Sequence, residues 1–323
     1  MPPTQKTTFK KNACLPIMVC CCIFLISSVN GQDSPLFAAL KNNSIQELQT
    51  LLAQKINVNV YDDDSDHVLM YAAMYASVDC MELLIKKGAD VNAINKNRET
   101  PLIWCNHDIT KAKLLLQNGA NVNAVAKTGN TALLTAAVGY GQYEMIKFLL
   151  DNGADALARN NKGETPLYRV ALFGDTATAR LLLDKGADIN IRTNLKETIL
   201  ENAISNGNKT MAYWLLNNGA DVNITDGYEA PALFYAVNWN DLDLVKAVLT
   251  KTTDINCFDV EGTTALMWAC YDEHNNIEII KSLLDKGVQL NTKDKKGQTA
   301  LVWALKKGNT ARSELLKKAG AQQ

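Results

Sequence analysis

The chain has 323 residues, of which 47% are apolar and 21% charged, and its formal net charge is −1. This is ordinary globular composition and gives no reason to expect a disordered or fibrous protein. The near-zero charge gives no support to general nucleic-acid binding, and three histidines leave little material for metal or acid–base clusters.

The N-terminus differs from the rest of the chain. Three lysines and no acid lie in the first eleven residues, and an apolar run follows at 13–29. Val29 and Gly31 suit the −3 and −1 positions of a signal-peptidase site. The pattern predicts a secretory signal peptide over residues 1–31 and a mature chain that begins at Gln32. A retained membrane anchor is the alternative, although a bilayer-spanning helix needs about 20 apolar residues.

A short motif recurs along the remaining chain. Its typical forms are GADVNA at Gly88 and GADINI at Gly186, and weaker copies include KINVN at Lys55. The copies begin at positions 55, 88, 119, 153, 186, 219, 252, 287 and 320. Self-similarity at a period of 20–50 residues is typical of stacked repeat proteins.

Each repeat also carries signals for two helices. A Thr-Pro-Leu or Thr-Ala-Leu triplet, as at Thr100 and Thr131, precedes a pair of small residues. Threonine caps a helix N-terminus, and proline fits the first helical turn. A leucine pair such as Leu115-Leu116 then marks the buried stripe of a second helix. The glycine of the motif ends that helix, because it adopts the left-handed conformation without strain.

These motifs resemble those of the ankyrin repeat family. The resemblance covers residues 34–321 in nine copies, and it implies an all-α repeat solenoid of nine stacked repeats. The family implies two antiparallel helices and a β-hairpin-like loop in each repeat, and a concave face that binds a partner. The chain therefore divides into a signal peptide, residues 1–31, and an ankyrin repeat domain, residues 34–321.

Several positions depart from the family pattern. The family usually has histidine after Thr-Pro-Leu, and the polar bond of that histidine is expected to be missing throughout. The residues found there are Phe37, Met70, Ile103, Leu134, Tyr168, Glu201, Phe234, Met267 and Val302. The third repeat is two residues short between Cys105 and Leu114, which predicts a clipped turn. The fourth repeat has an extra residue near Tyr140, and the eighth has two near 272–276.

Possible sites for metal or acid–base chemistry are few. The acidic run at 62–67 lacks the glycine and glutamate of a calcium-binding EF-hand loop, so it is expected to be a solvated hairpin tip. His67, His107 and His274 are expected to be solvated loop residues. The sequence predicts no metal site and no cofactor.

The mature chain has four cysteines. Cys105 and Cys270 lie at or beside the small-residue positions of first helices, which favours free thiols in the core. Because an exported protein permits disulfides, a Cys80–Cys105 bridge is the alternative. Cys257 completes the set. Three tryptophans share one position beside the small-residue pair, which predicts packing between repeats; they are Trp104, Trp268 and Trp303.

No nucleophile, phosphate-binding or metalloprotease motif occurs in the chain. The sequence therefore predicts a non-catalytic, exported scaffold for protein–protein interaction. Its partner is expected to be another protein, and neither nucleic acid nor a small-molecule substrate. The alternatives are a membrane-anchored scaffold, if the N-terminal segment is retained, and the regulatory subunit of an enzyme.

Aromatic residues supply the candidate binding site. By the family resemblance, the two residues after the small-residue pair face the concave surface, and aromatic residues recur there. The candidates at or next to this face are Tyr75, Tyr140, Phe173, Trp239 and Tyr271, and those at the hairpin tips are Tyr61 and Tyr228. Aromatic anchors dominate many interfaces. The alternative for each residue is a place in the core between repeats.

Charge is distributed unevenly between the two ends of the mature chain. Residues 32–94 hold nine acids and four lysines, a net charge of −5. Residues 292–323 hold eight bases and two acids, a net charge of +6. These poles are expected either to orient a partner or to act as solubilising caps of the array.

Overall fold

A computed structural model of the chain describes residues 35–105, 108–271, 276–308 and 310–323. The predicted signal peptide at 1–31 lies outside these residues, as do His107 and His274. The chain forms two compact units, one up to Asn161 and one from Lys162. Among the described helices, none combines the length and apolar character that crossing a bilayer requires.

The described residues form eighteen helices, two for each of nine repeats. The first helices of the repeats are α1 (Pro35–Lys41), α3 (Val68–Tyr75), α5 (Pro101–Trp104), α7 (Ala132–Ala136), α9 (Pro166–Leu172), α11 (Ile199–Ser205), α13 (Ala232–Trp239), α15 (Ala265–Tyr271) and α17 (Ala300–Lys306). The second helices are α2 (Ile45–Ala53), α4 (Val78–Lys86), α6 (Ile109–Gln117), α8 (Tyr143–Asp151), α10 (Thr176–Asp184), α12 (Lys209–Asn217), α14 (Leu242–Leu249), α16 (Ile277–Asp285) and α18 (Thr310–Lys318). The predicted fold class, an all-α stack of helix pairs, is confirmed.

Local sequence explains where the helices begin and end. The Thr165 side chain accepts the Tyr168 amide at 3.2 Å, and Pro166 occupies the first turn of α9. Polar caps of this kind contribute about 1 kcal/mol each. Gly219 follows α12 with φ of 95°, a conformation that costs glycine little. The threonine and glycine signals in the sequence therefore mark real helix boundaries.

Hairpin-like loops connect one repeat to the next. Antiparallel bridges close four of these loops among the described residues. The bridged pairs are Tyr61 with His67, Arg192 with Thr198, Thr225 with Pro231 and Phe258 with Thr264. Each loop is thus narrow at its base, and its tip is left on the surface.

Apolar stripes of the helices form the core of each unit. In the second unit, successive second helices bury Leu182, Leu215, Val248 and Leu283 completely. Burying one leucine side chain contributes about 2 kcal/mol. First helices bury alanines at their contacts, such as Ala236 in α13, so neighbouring helices pack closely. The leucine and alanine signals of the repeat therefore describe the core.

An asparagine in the repeat motif links neighbouring repeats within each unit. In the first unit, Asn59 Oδ1 accepts the Asp90 amide at 2.8 Å, and its Nδ2 donates to the Gly88 carbonyl at 3.0 Å. In the second unit, Asn223 Oδ1 accepts the Thr253 amide at 2.8 Å. The asparagine of the GADVN motif is thus a hydrogen-bonding link to the following repeat.

The expected loss of polar bonds at the family's histidine position is wrong at two places. The Tyr168 hydroxyl lies 3.2 Å from Glu197 Oε2 and 3.0 Å from Asn202 Nδ2. Glu201 Oε2 accepts the Thr198 amide at 2.8 Å, which closes a capping box on α11. At this position the tyrosine and the glutamate form side-chain hydrogen bonds, which the mainly apolar residues of the other repeats cannot form.

The shortened third repeat has a first helix of four residues, α5. In its second helix, Lys111 occupies the position that holds the buried Met145 and Met211 in other repeats. The Lys111 side chain is buried, and its Nζ donates to the Ala73 carbonyl of α3 at 2.8 Å. A charged hydrogen bond to the preceding repeat therefore accompanies the short helix.

Candidate functional site

The predicted aromatic residues fall into two groups by exposure. Those with exposed side chains are Tyr61, Tyr75, Tyr140, Tyr228 and Tyr271. Phe173 and Trp239 are half-buried. A Cβ added to Gly207 would lie 2.1 Å from Cζ2 of Trp239, so this indole packs directly on the preceding repeat. Five of the seven residues are therefore accessible to a partner, and Trp239 also fills space between repeats.

An aromatic cluster lies on the first two repeats of the first unit. The ring centroid of Tyr71 is 4.7 Å from that of Phe37 and 5.7 Å from that of Tyr75. Lys41 Nζ lies 5.3 Å from the Tyr71 centroid. The Tyr71 hydroxyl donates to Asp62 Oδ2 at 2.5 Å. Burial and this hydrogen bond raise the pKa of Tyr71, so the phenol keeps its proton at neutral pH.

A second aromatic cluster lies on the last two repeats of the second unit. The Tyr271 ring centroid is 6.3 Å from that of Trp268 and 5.4 Å from that of Trp303. Lys307 Nζ lies 4.0 Å from the Tyr271 centroid, a cation–π contact. Tyr271 therefore lies between two tryptophans and a lysine, while the residue as a whole remains 42% exposed.

Aspartates in the hairpin loops hold the aromatic donors of the first helices. Asp259 Oδ1 accepts the Glu261 and Thr263 amides at 2.9 Å, and its Oδ2 lies 3.3 Å from the indole nitrogen of Trp268. Asp226 Oδ2 likewise accepts a hydrogen bond from the Tyr235 hydroxyl. The spacing of nine residues between acid and aromatic donor is the sequence signal for this arrangement.

The sequence predicted that the three tryptophans pack between repeats, and the structure adds a hydrogen bond from each indole. Trp104 Nε1 donates to Glu99 Oε2 at 3.1 Å, and Trp303 Nε1 donates to Asp294 Oδ2 at 3.0 Å. Each indole, including that of Trp268, ties a first helix to the loop of its own repeat. The nine-residue spacing holds for Trp268 and Trp303, whereas Glu99 lies five residues before Trp104.

Sequence reasoning missed an exposed apolar strip on the second unit. Tyr228 was predicted, but Leu195 and Phe258, in the loops of the two neighbouring repeats, were not. Their exposed fractions are 73% for Leu195, 60% for Tyr228 and 57% for Phe258. A Cβ on Gly227 would lie 3.0 Å from the Leu195 carbonyl, and Val260 N donates to the Tyr228 carbonyl at 2.9 Å. The loops of neighbouring repeats therefore adjoin. The sequence signal that could have found Phe258 is its place two residues after the asparagine of the repeat motif.

The predicted solvated histidine at position 67 is wrong. His67 is fully buried and caps α3, and its Nδ1 accepts the Leu69 amide at 3.2 Å. Its Nε2 lies 3.2 Å from Asn59 Oδ1. Burial lowers the pKa of His67 to about 4, so the ring is neutral at physiological pH. This histidine has the place that threonine has in most other repeats.

The acidic loop is only partly solvated. Asp63 and Asp64 are exposed, whereas Asp62 and Asp66 are half-buried. Asp66 Oδ1 accepts Asn95 Nδ2 at 2.7 Å, and burial raises the pKa of this carboxyl. Across the described residues, no group of three or more His, Cys, Asp or Glu side chains is placed to hold a metal ion.

The four cysteines of the repeats are free thiols in the structure. Cys80, Cys105 and Cys270 are buried, and Cys257 is half-buried. Burial raises the pKa of both Cys105 and Cys270 to about 12 and that of Cys257 to about 11. Since the thiolate is the reactive form, these three groups are poor nucleophiles, and the buried Cys105 and Cys270 behave as core side chains.

A family model and several known proteins are similar to this chain in sequence. A family model described as "Ankyrin repeats (3 copies)" matches residues 13–95, 91–160, 134–226 and 233–323. A mitochondrial disaggregase of Bos taurus is 31% identical over 146 residues, 43% of this chain and 21% of that protein. A probable serine/threonine-protein kinase of Dictyostelium discoideum is 40% identical over 83 residues, 23% of this chain and 10% of that protein.

A poly [ADP-ribose] polymerase tankyrase of Caenorhabditis elegans is 34% identical over 74 residues, 23% of this chain and 3% of that protein. The chain thus spans about a fifth or less of the length of these relatives. The family model, in contrast, matches nearly the whole chain, and the helix pairs follow the same period. The chain therefore belongs to the ankyrin repeat family.

Proposed function

We propose that this protein is an exported, non-catalytic scaffold that binds a protein partner through its hairpin loops and first helices. Ankyrin repeats typically bind proteins, which supports the general role. The positively charged N-terminus, its apolar run and the small residues up to Gly31 support export. The alternatives are an anchored scaffold that keeps residues 1–31 and a regulatory subunit of an enzyme.

The apolar strip formed by Leu195, Tyr228 and Phe258 carries the proposal. Single exposed apolar residues are normal on a protein surface, whereas large apolar side chains that recur on adjoining loops make a candidate interaction site. These three side chains come from consecutive loops of one unit, and each is more than half exposed. Tyrosine and phenylalanine supply large apolar area at a low entropic cost, because each has only two side-chain torsions.

Binding can be tested with the mature chain, residues 32–323. The immobilised protein captures partners from the exported fraction of its own organism, and the purified partner is titrated by calorimetry. Changing Leu195, Tyr228 and Phe258 together to serine is expected to weaken binding at least about tenfold. The matched control is Asn217→Ala on the exposed side of α12. Unchanged affinity of the serine variant, or failure to retain any partner, would refute this role.

Export can be tested separately by the mass of the protein recovered outside the cytoplasm. Cleavage after Gly31 gives a chain that starts at Gln32. Replacing Gly31 with a large residue such as tryptophan is expected to block cleavage there, because the −1 position requires a small residue. A full-length mass in the membrane fraction would support the anchored alternative instead.

A further inference from the structure

One surface of the last two repeats combines aromatic rings with lysines. We call it the lysine–aromatic surface, and it consists of Tyr271, Trp303, Lys295, Lys296 and Lys307. Tyr271 contacts Trp303 on one side and Lys307 on another, with ring and cation distances of 5.4 Å and 4.0 Å. The three lysines and Tyr271 are exposed. The charged and apolar parts are therefore accessible together.

Hydrogen bonds connect the loop that carries Lys295 and Lys296 to α17, which carries Trp303 and ends just before Lys307. Asp294 Oδ1 accepts the Lys296 amide at 2.9 Å, and Asp294 Oδ2 accepts the Trp303 indole at 3.0 Å. The Lys295 amide donates to the Glu261 carbonyl of the preceding loop at 3.0 Å. The loop that carries two lysines is thus fixed to the helix that carries Trp303, so a ligand can contact both at little cost in loop ordering.

No salt bridge among the described residues neutralises the positive charge of this region. Lysines elsewhere form salt bridges, such as Lys96 with Asp64 at 3.0 Å and Lys281 with Glu278 at 2.6 Å. Among the described residues, the lysines of the last repeat form none; they are Lys293, Lys295, Lys296, Lys306, Lys307, Lys317 and Lys318. Residues 292–323 contain only two acids, Asp294 and Glu314, against eight bases, and Asp294 is buried.

We propose that the lysine–aromatic surface binds an acidic polypeptide segment that carries apolar or aromatic side chains. This inference rests on the proposed protein-binding function and specifies the chemistry of one partner segment. Carboxylates of such a segment pair with Lys295, Lys296 and Lys307, and an apolar side chain packs on Tyr271 and Trp303. Complementary charge accelerates encounter, and the aromatic contact slows dissociation.

The arginine content of the last repeat favours a polypeptide over a nucleic acid. Arginine is the usual residue for the forked recognition of phosphate, and the one arginine of the last repeat, Arg312, is buried. Lysines act as point charges that suit carboxylates as well. The solubilising role of an end repeat explains Lys317 and Lys318 at the end of α18, but it gives no reason for the exposed Tyr271 ring.

The experiment measures binding of the mature chain to a random copolymer of glutamate and tyrosine. Changing Lys295, Lys296 and Lys307 together to glutamine is expected to weaken binding about tenfold and to reduce its salt dependence. The matched control changes Lys317 and Lys318 to glutamine, and its affinity is expected to stay within about twofold of wild type. Thermal unfolding by circular dichroism verifies that both variants fold.

Three outcomes would overturn the inference. They are the absence of copolymer binding, equal losses in the two lysine variants, and equal or tighter binding of a single-stranded DNA of the same charge. A Tyr271→Ser variant provides an independent arm, because it leaves the charges in place and is expected to weaken copolymer binding at least threefold. The strip of Leu195, Tyr228 and Phe258 is outside this surface, so its serine variant tests the proposed function whether or not the copolymer binds.

Discussion

Glu201 provides the sharpest test of how burial acts in this array. Its side chain is 3% exposed, and its Oε1 is the buried side-chain atom without a hydrogen-bond partner among the described residues. Burial raises the pKa of Glu201 from 4.5 to about 8, although hydrogen bonds from Thr198 oppose the shift. Asp226 raises the pKa further, and Arg192 lowers it. The folded protein therefore keeps a proton on this carboxyl at neutral pH.

The sign of the effect on stability follows from proton binding. Between pH 4.5 and 8 the folded state holds a proton on Glu201 that the unfolded state releases, so the free energy of unfolding falls as pH rises. Each pH unit inside this window costs about 1.4 kcal/mol. The contribution of Glu201 is then expected to fall by about 2.5 kcal/mol between pH 5 and pH 7.

The perturbation is Glu201→Gln, which cannot ionise. Because the buried amide lacks one partner, the variant is expected to be no more stable than wild type at pH 5. At pH 7 the difference between variant and wild type is expected to have moved by about 2.5 kcal/mol in favour of glutamine. Urea unfolding followed by circular dichroism at pH 5, 6, 7 and 8 measures this difference, and carbon NMR of the Glu201 carboxyl measures its titration directly.

A matched variant places the same group in another repeat. Met267 is buried at the equivalent position of α15 and follows Thr264, so Met267→Glu recreates the buried capping arrangement. It is expected to introduce a pH dependence of the same sign. If the stability difference between wild type and Glu201→Gln stays constant from pH 5 to 8, the carboxyl is not held protonated and the reasoning is refuted.

Three further predictions concern the links within and between repeats. Gly207→Ala brings a Cβ to 2.1 Å from the Trp239 ring, whereas the Cβ of Gly219→Ala meets open space. The first variant is therefore expected to lower the free energy of unfolding about 2 kcal/mol more than the second. Equal free energies of unfolding of the two variants, measured with urea, would contradict this. Asn223→Ala removes the hydrogen bond to the Thr253 amide in the next repeat, and it is expected to lower the local free energy of opening by about 1–2 kcal/mol. Faster hydrogen exchange of the Thr253 amide measures this loss. The short α5 packs fewer residues against α6 than α9 packs against α10, so the amides of α6 are expected to exchange hydrogen faster than those of α10. Equal protection of the two helices would contradict a weak third repeat.

The candidate site was only partly predictable from sequence. Tyr228 and Tyr271 are exposed as the repeat position suggested, whereas Trp239 packs on the preceding repeat. Whether an aromatic ring faces solvent depends on the residue opposite it in the neighbouring repeat, here Gly207. Leu195 was missed because an aliphatic residue at a loop tip carries no distinctive signal until its neighbours are in place.

The sequence by itself determined the repeat period, the helix pairs and the family. It could do so because the cap, the leucine stripe and the terminal glycine act within one repeat, and stacking adds only contacts between neighbours. The tertiary structure alone decided the environments of His67, Glu201 and Lys111, which are polar side chains that become buried. Their burial comes from residues brought together by folding, so the spacing within one repeat, which does encode local caps such as that between Thr198 and Glu201, encodes neither the burial nor the pKa shifts of His67 and Glu201.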